Sequence, residues 1–420
     1  MIALGLLLLW ISTFRGGDGE SPSDEPAPHA QTGESKPALQ APPISAIDNL
    51  LRYSKNVSLA LLFTTSKKTT DLSATADGAT LLRFQVEQLM RRNGTDERKL
   101  LRVGPTAIFS FSRRFLIHFV IMMTPEVPEM WKTVLEAAGF DVRRYASPIQ
   151  PDEIQNKQIA KEVVEDGAMG ITEMVKLEGF RMSEFSSVLM VDCDIFFHKN
   201  FEELFDLEEK GDLVWTRGAW DIEWLNGGFL VFHPQSPRAI QHFNRILEIH
   251  RTGDFRPGTG WRGAGVGWTY GGRTIQGLLP YYFLVELPLT ENATSAAHRD
   301  QIINALSATA GQRARGGVAK RVRCQKVATD YEVDHCQYNN MVALPECKQR
   351  PYESVTSNHF TGECQKPWWC HPSPHPLCKR FHSTWREVAE EFARLVGTQD
   401  YKACTGRYNP LPKPNGYFSR

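Results

Sequence analysis

Between residues 57 and 191, short apolar runs alternate with amphipathic ones. "VSLALLFTT" (57–65) reads as a strand entering a polar turn, and "ATLLRFQVEQLMRR" (79–92) follows with the Leu, Val and Met spacing of a helix. "FLIHFVIMM" is a second apolar strand. In "TPEVPEMWKTVLEAAGF", Thr124 and Pro125 predict a helix start and Gly139 its stop. "DVRRYASPI" supplies another short strand, and "GITEMVKLEGFRMSEF" predicts a helix leading into the strand "SSVLMVDCD". A chain that alternates in this way is α/β, with an open, mostly parallel sheet and helices on both faces. In such sheets ligands gather beyond the carboxyl ends of the strands.

One of those ends carries two acids. Asp192 and Asp194 close the run "VLMVDCD", two residues apart, and in an extended chain they face the same way. Two such anions repel by roughly 1 kcal/mol in water, and by more where the dielectric falls. The pair needs a cation, a shared proton or full solvation. Paired hard oxygen ligands suit Mg²⁺ or Mn²⁺, and an added imidazole tilts the choice toward Mn²⁺. "SNHFTGECQKPWWC" supplies that imidazole in His359, with Gly362 and Lys366 following. The glycine permits close backbone approach to a ligand, and the lysine offers a point charge for a phosphate. Taken singly, D-x-D is a weak pattern that often marks a solvated turn, and a lone His is more often a surface or satisfied core residue.

Beyond residue 211, "GDLVWTRGAWDIEWLNGGFLVFHPQSP" reads as a strand, a loop and a second strand, and "PRAIQHFNRILEIHR" as a helix. A Gly-rich loop runs from Phe255 to Gly272, and "TIQGLLPYYF" opens another helix. Residues 295–323 show little periodicity. The N-terminal "MIALGLLLLWISTF" holds an apolar run of about 13 residues, short of the about 20 a spanning helix needs. Residues 1–15 are expected to be a signal peptide or a short anchor, and 16–45, rich in Pro, Gly, Ser and acid, a disordered stem. A catalytic domain over 50–385 and a tail over 386–420 complete the expected organisation. With 48 basic and 48 acidic side chains, the chain shows no basic excess of the kind a nucleic-acid partner calls for.

Eight cysteines are present; Cys193 lies between the two acids and seven fall between Cys324 and Cys404. This clustering fits disulfides formed in an oxidising lumen, with an odd thiol left over. "CHPSPHPLC" also admits a zinc reading, although it lacks a paired C-x2-C knuckle. Three glycosylation sequons begin at Asn56, Asn93 and Asn292, a number near chance.

Four ordered blocks, "VLMVDCDIFF", "WLNGGFLVFHP", "IQGLLPYYF" and "HFTGECQKPWW", resemble the glycosyltransferase family that includes glycogenin, family 8, over roughly residues 57–370. The resemblance implies a GT-A fold, a UDP-sugar donor and retaining transfer. It further implies that Asp192, Asp194 and His359 hold Mn²⁺, with Mg²⁺ the alternative, bridging the donor's two phosphates. Lys366 would contact the diphosphate, with Gly362 leaving room, while Asn226, Gly227 and Gly228 line the donor sugar. Lys176 would reach the donor from the helix before the D-x-D strand. Thr65, or Thr64 beside it, would take the nucleoside. Gln276 would face the transferring sugar, and we assign it with Lys176 to catalysis. Where the family has Asp-Gln-Gly-Leu-Leu-Asn, this chain starts with Ile275 and ends with Pro280, which leaves the donor open. The cysteine-rich block before His359 favours a lumenal or secreted enzyme of the ER or Golgi route, acting on glycan, glycoprotein or glycolipid acceptors.

Two rival readings remain at this level. A phosphatase of the haloacid dehalogenase class also begins at a strand ending D-x-D, but it wants Thr or Val where Phe196 stands. A catalytically silent relative kept for glycan binding or scaffolding is the other, sustained by Ile275. Cys193 reads as an inert buried thiol. His198 and His233 read as turn residues. Trp215, Trp220, Trp224, Trp261 and Trp268 read as core, with one or two free to stack on an acceptor sugar. Asp221 and Glu223 are further candidates for positioning the sugar.

Overall fold

The computed structural model describes residues 55–63, 72–92, 101–102, 108–111, 115–166, 170–218, 224–288 and 331–412. The apolar N-terminal run, the stem, Thr64, Thr65, Trp220, Asp221, Glu223, Cys324 and residues 295–323 lie outside them, as do the sequons at Asn93 and Asn292.

The elements in chain order are β1 (Lys55–Phe63), α1 (Ser73–Arg92), β2 (Leu101–Arg102), β3 (Ile108–Phe111), β4 (Phe115–Met123), α2 (Glu129–Ala137), β5 (Asp141–Arg144) and α3 (Lys157–Glu165). A 3-10 helix over Ile171–Arg181 precedes β6 (Ser187–Val191), β7 (Ile195–Phe197), β8 (Leu213–Trp215), β9 (Phe229–Phe232) and α4 (Ala239–Thr252). Then come β10 (Phe255–Arg256), β11 (Gly260–Trp261), α5 (Ile275–Tyr281), α6 (His335–Tyr338), α7 (Pro345–Lys348), β12 (Ser357–His359) and α8 (Pro376–Leu395).

The main sheet runs β2-β3-β4-β1-β6-β9-β8, with β5 pairing the far half of β4. Its centre, β5-β4-β1-β6, is parallel, and the flanking β3, β9 and β8 run antiparallel to their neighbours. Strands buried on both faces read as continuous apolar runs, which is why "FLIHFVIMM" and "SVLMV" carry almost no polar residue. The period-2 alternation divides them between two cores. Leu59, Leu61, Ile117, Phe119, Leu189 and Val191 pack under α1 and α8. Ala60, Leu62, Val120, Met122, Val188 and Met190 pack under the 3-10 helix, α4 and α5. Helices on both faces are therefore as expected.

Three local expectations change. The helix placed at Thr124–Pro125 begins at Glu129, because Thr124 and Val127 each precede a proline and are steered out of the helical region. Arg144 instead ties the intervening turn, donating to the carbonyls of Thr124, Pro125 and Val127. The helix placed over "GITEMVKLEGFRMSEF" is a 3-10 helix of 11 residues, 173–180 of which are buried. At about 2.0 Å rise per residue it reaches farther than an α-helix of equal length, and its i and i+3 side chains align. Finally, α8 runs through the boundary drawn after residue 385. Its Phe381, Trp385 and Phe392 are buried in the sheet's core, each worth about 1.5–3 kcal/mol, so this stretch is integral to the domain.

The cysteine cluster forms three disulfides, Cys336–Cys347, Cys364–Cys378 and Cys370–Cys404. Both cysteines of "CHPSPHPLC" are consumed in them, which removes the zinc reading. The same pairing makes the His335, Cys336 and Cys347 group unavailable to a metal. Cys193 is a buried free thiol, pushed up to about 12 by burial and the Asp192 charge, in keeping with an inert group.

Candidate active site

The site is assembled by two ladders. At the end of β6, Val191 pairs with Phe229 of β9, so the residues beyond them, Asp192 and Gly228, also face each other, and Asp192 N–H donates to the Gly228 carbonyl at 3.0 Å. The D-x-D strand and the Asn226–Gly228 block are thus neighbours by register. The second ladder pairs β7 with β12, setting Ile195 opposite His359. Phe360 N–H donates to the Asp194 carbonyl at 2.9 Å, which fixes the imidazole beside the acids. His198, expected to be a turn residue, steadies this ladder: its Nε2 meets Asn358 Oδ1 at 2.8 Å and its Nδ1 meets the Tyr352 hydroxyl at 3.1 Å.

His359 Nε2 lies 3.3 Å from Asp194 Oδ1 and 4.0 Å from Asp192 Oδ2. One ligand atom from each of Asp192, Asp194 and His359 falls within 4.8 Å of the others. Gly228 is required here for room: a Cβ on it would stand 2.7 Å from Asp192 Oδ2 and 2.8 Å from His359 Cε1. Burial pushes His359 down to about 4, against the pull of Asp192, so the imidazole is neutral and offers a lone pair. Two carboxylates and a neutral imidazole, with Gly228 leaving room between them, fit a divalent cation.

Two lysines flank the acids. Lys176 Nζ donates to Asp192 Oδ1 at 2.7 Å and to the Gly227 carbonyl at 3.0 Å. Glu173 Oε2 is 2.8 Å from the same ammonium, yet off the directions of a hydrogen bond. Burial alone would lower Lys176, but Asp192 and Glu173 outweigh it and raise it; burial likewise would raise Asp192, which Lys176 and His359 hold below its usual range. Lys366 is ion-paired with Asp194 Oδ2, and burial brings its ammonium down to about 8 even beside Asp192.

Asp192, Asp194, His359 and Lys366 line a cavity of about 600 Å³ together with Asn226, Gly228, Gln276 and Gly362, and Lys176 is buried behind Asp192. Asn226 Oδ1 accepts from Gly228 N–H and from Asn339 Nδ2, both at 3.0 Å, and Asn339 also donates to Thr216 Oγ1 at 2.7 Å. Gln276 uses both ends of its amide on the backbone, accepting from Gly227 N–H at 2.7 Å and donating to the Tyr270 carbonyl at 3.0 Å. Gly362 has φ +59, so a left-handed turn, more than crowding, selects glycine there.

Of the residues singled out in the sequence, Lys176, Asp192, Asp194, Asn226, Gly227, Gly228, Gln276, His359, Gly362 and Lys366 meet around this one cavity. Thr65 lies outside the described residues. Trp215 and Trp261 are core residues, whereas Trp224 and Trp268 are half-buried. Sequence reasoning missed Glu173, Asn339 and the exposed cavity-lining Tyr270. The Glu173–Lys176 spacing was a usable signal; Asn339 and Tyr270 sit in loops with no periodic mark.

No family model and no curated protein matches the chain. Similar solved structures include the galactosyltransferase LgtC in complex with donor and acceptor sugar analogs, at 13% identity over 78% of this chain and 95% of that one, TM-score 0.34. Mouse xyloside xylosyltransferase 1 in its apo form is similar at 10% identity over 74% and 99%, TM-score 0.36. The bifunctional glycosyltransferase WbbM in its apo form is similar at 10% identity over 80% of this chain and 49% of that one, TM-score 0.41. With TM-scores below 0.5, these likenesses do not bear on the chemistry of the site.

Proposed function

We propose that this chain is a GT-A, family-8-like glycosyltransferase that moves a sugar from a UDP-sugar to a glycan, glycoprotein or glycolipid acceptor with retention at the anomeric carbon. The observation that carries the reading is the convergence of Asp192, Asp194 and His359, distant in sequence, at the wall of one cavity, with Lys366 beside them on that wall and Lys176 buried against Asp192. Asp192, Asp194 and His359 would hold Mn²⁺, with Mg²⁺ the alternative. A divalent cation there supplies a fixed positive charge that stabilises a departing diphosphate.

This chain's own groups divide the remaining work. Lys366 adds an ammonium at the cavity wall where phosphate charge would develop. Asn226, Gly227 and Gly228 form the donor-sugar wall, stiffened from behind by Asn339 and Gln276. Gln276 lies at the transferring sugar and Lys176 fixes Asp192. Thr65 takes the nucleoside. No carboxylate is assigned as a covalent nucleophile, so transfer proceeds on one face of the sugar. The bond from the anomeric carbon to the diphosphate breaks, the acceptor oxygen forms the new bond, and its proton passes to the leaving phosphate oxygen. Three disulfides support residence in the secretory lumen or outside the cell. Among the described residues no helix is long and apolar enough to cross a membrane.

A screen for UDP release across UDP-sugars, with and without Mn²⁺, tests the reading. Mn²⁺-dependent release with at least one donor is expected; no release from any donor would overturn it. The fully buried Ile275, packed beside Gly227 where the related family has an acid, favours a second outcome, in which UDP-sugar binds and no transfer follows.

A further inference from the structure

Lys176 is held by more than the acid it was expected to serve. Its ammonium lies among Asp192 Oδ1 at 2.7 Å, Glu173 Oε2 at 2.8 Å and the Gly227 carbonyl at 3.0 Å, with the lysine only 1% exposed. One ammonium is therefore shared by two carboxylates. The 3-10 helix makes this sharing possible, since three residues per turn place Glu173 directly in line with Lys176. Glu173 Oε2 is buried and makes no hydrogen bond; what it faces is the Lys176 ammonium at 2.8 Å. A buried carboxylate in that state is destabilising unless a charge nearby compensates it.

Asp192 and Asp194 face Lys176 and Lys366 across two ion pairs. Glu173 brings a third carboxyl group to this arrangement, set against the Lys176 ammonium at 2.8 Å. We propose that Glu173 is a positioning residue that draws the Lys176 ammonium away from full commitment to Asp192, so that Asp192 keeps its strength as a cation ligand. This rests on the Asp192, Asp194 and His359 cation site proposed above. Glu173 itself touches neither donor nor metal; it acts through Lys176.

The test is the Mn²⁺ dissociation constant of the full chain, read from the electron paramagnetic resonance signal of free Mn²⁺, alongside thermal unfolding without metal. Glu173→Gln is expected to weaken Mn²⁺ binding about tenfold or more, equivalent to about 1.4 kcal/mol, while the metal-free melting temperature holds. Glu173→Asp, which keeps the charge, restores part of the affinity. In a Lys176→Met background the same Glu173→Gln change loses its effect, as a residue acting through Lys176 requires. Equal Mn²⁺ affinity in the parent and Glu173→Gln overturns the inference and leaves the cation site standing. A weakening that persists in the Lys176→Met background, or that tracks a fall in melting temperature, also overturns it. A parent chain that binds no Mn²⁺ overturns the cation site and this inference together.

Discussion

Asp192 and Asp194 leave a sheet buried on both faces, whereas His359, Gly362 and Lys366 sit on a segment of very little regular structure. From residue 331 to the start of α8, that segment contributes two four-residue helices, two three-residue 3-10 turns and one three-residue strand. The acids are placed by apolar packing and ladder register. The imidazole is placed by the short β7–β12 ladder, and the segments on either side of it by covalent closure: Cys336–Cys347 pins the turn carrying Asn339, and Cys364–Cys378 ties the turn carrying Lys366 to the first turn of α8. A site whose members must stay within a few ångströms is thus built from one region held by burial and one held by crosslinks.

The comparison breaks most visibly if either half alone suffices. Asp194→Asn, from the sheet side, and His359→Ala, from the crosslinked side, should each lower UDP-releasing activity by about 10²–10³, equivalent to roughly 2.7–4 kcal/mol. Steady-state kinetics with Mn²⁺ would check this, and an effect confined to one of the two would show the halves to be unequal. Removing the Cys364–Cys378 bridge by paired serine substitutions should lower stability by about 3 kcal/mol for a loop of this length. Denaturant unfolding would measure it, and the donor KM should rise as Lys366 loses its anchor.

A third way to sharpen the contrast uses pH. Burial raises Glu332, in the crosslinked segment, to about 7, with Arg217 opposing. Its folded-state value lies above the ordinary 4.5, so the stabilisation belongs to the protonated form, complete below about pH 4.5 and lost as pH rises through 7. Glu332→Gln should therefore be the more stable protein at pH 8.5 by about 2–3 kcal/mol and show no such gain at pH 4.5. Melting curves at the two pH values decide it. The smallest effect is expected from Gly228→Ala, where overpacking costs about 1–3 kcal/mol and should appear as weakened Mn²⁺ affinity.

Legibility in the sequence follows the same division. The strands "FLIHFVIMM" and "SVLMV" could be read because a buried parallel sheet leaves continuous apolar runs. Asp192 and Asp194 could be read because charge at the end of such a run needs a reason. The 3-10 form of Ile171–Arg181 could not, since its polar residues Glu173 and Lys176 are buried with the apolar ones and their i, i+3 spacing suits an α-helix equally well. Disulfide partners were equally hidden, because spacing alone permits many connectivities. Asn339 belongs to a turn whose purpose, supporting Asn226 from behind, exists only once the chain has folded.

The pairing of Val191 with Phe229 sets different tolerances on the two sides of Gly228. The stretch joining β8 to Asn226 can grow or shrink without changing which face of the sheet Phe229 and Leu230 occupy. A single residue added between Gly228 and Phe229 would instead turn the next strand inside out, exchanging the residues of its two cores and pulling the glycine from Asp192. Loop diversity is thus admissible upstream of the glycine, while the peptide bond just after it is closed to insertion.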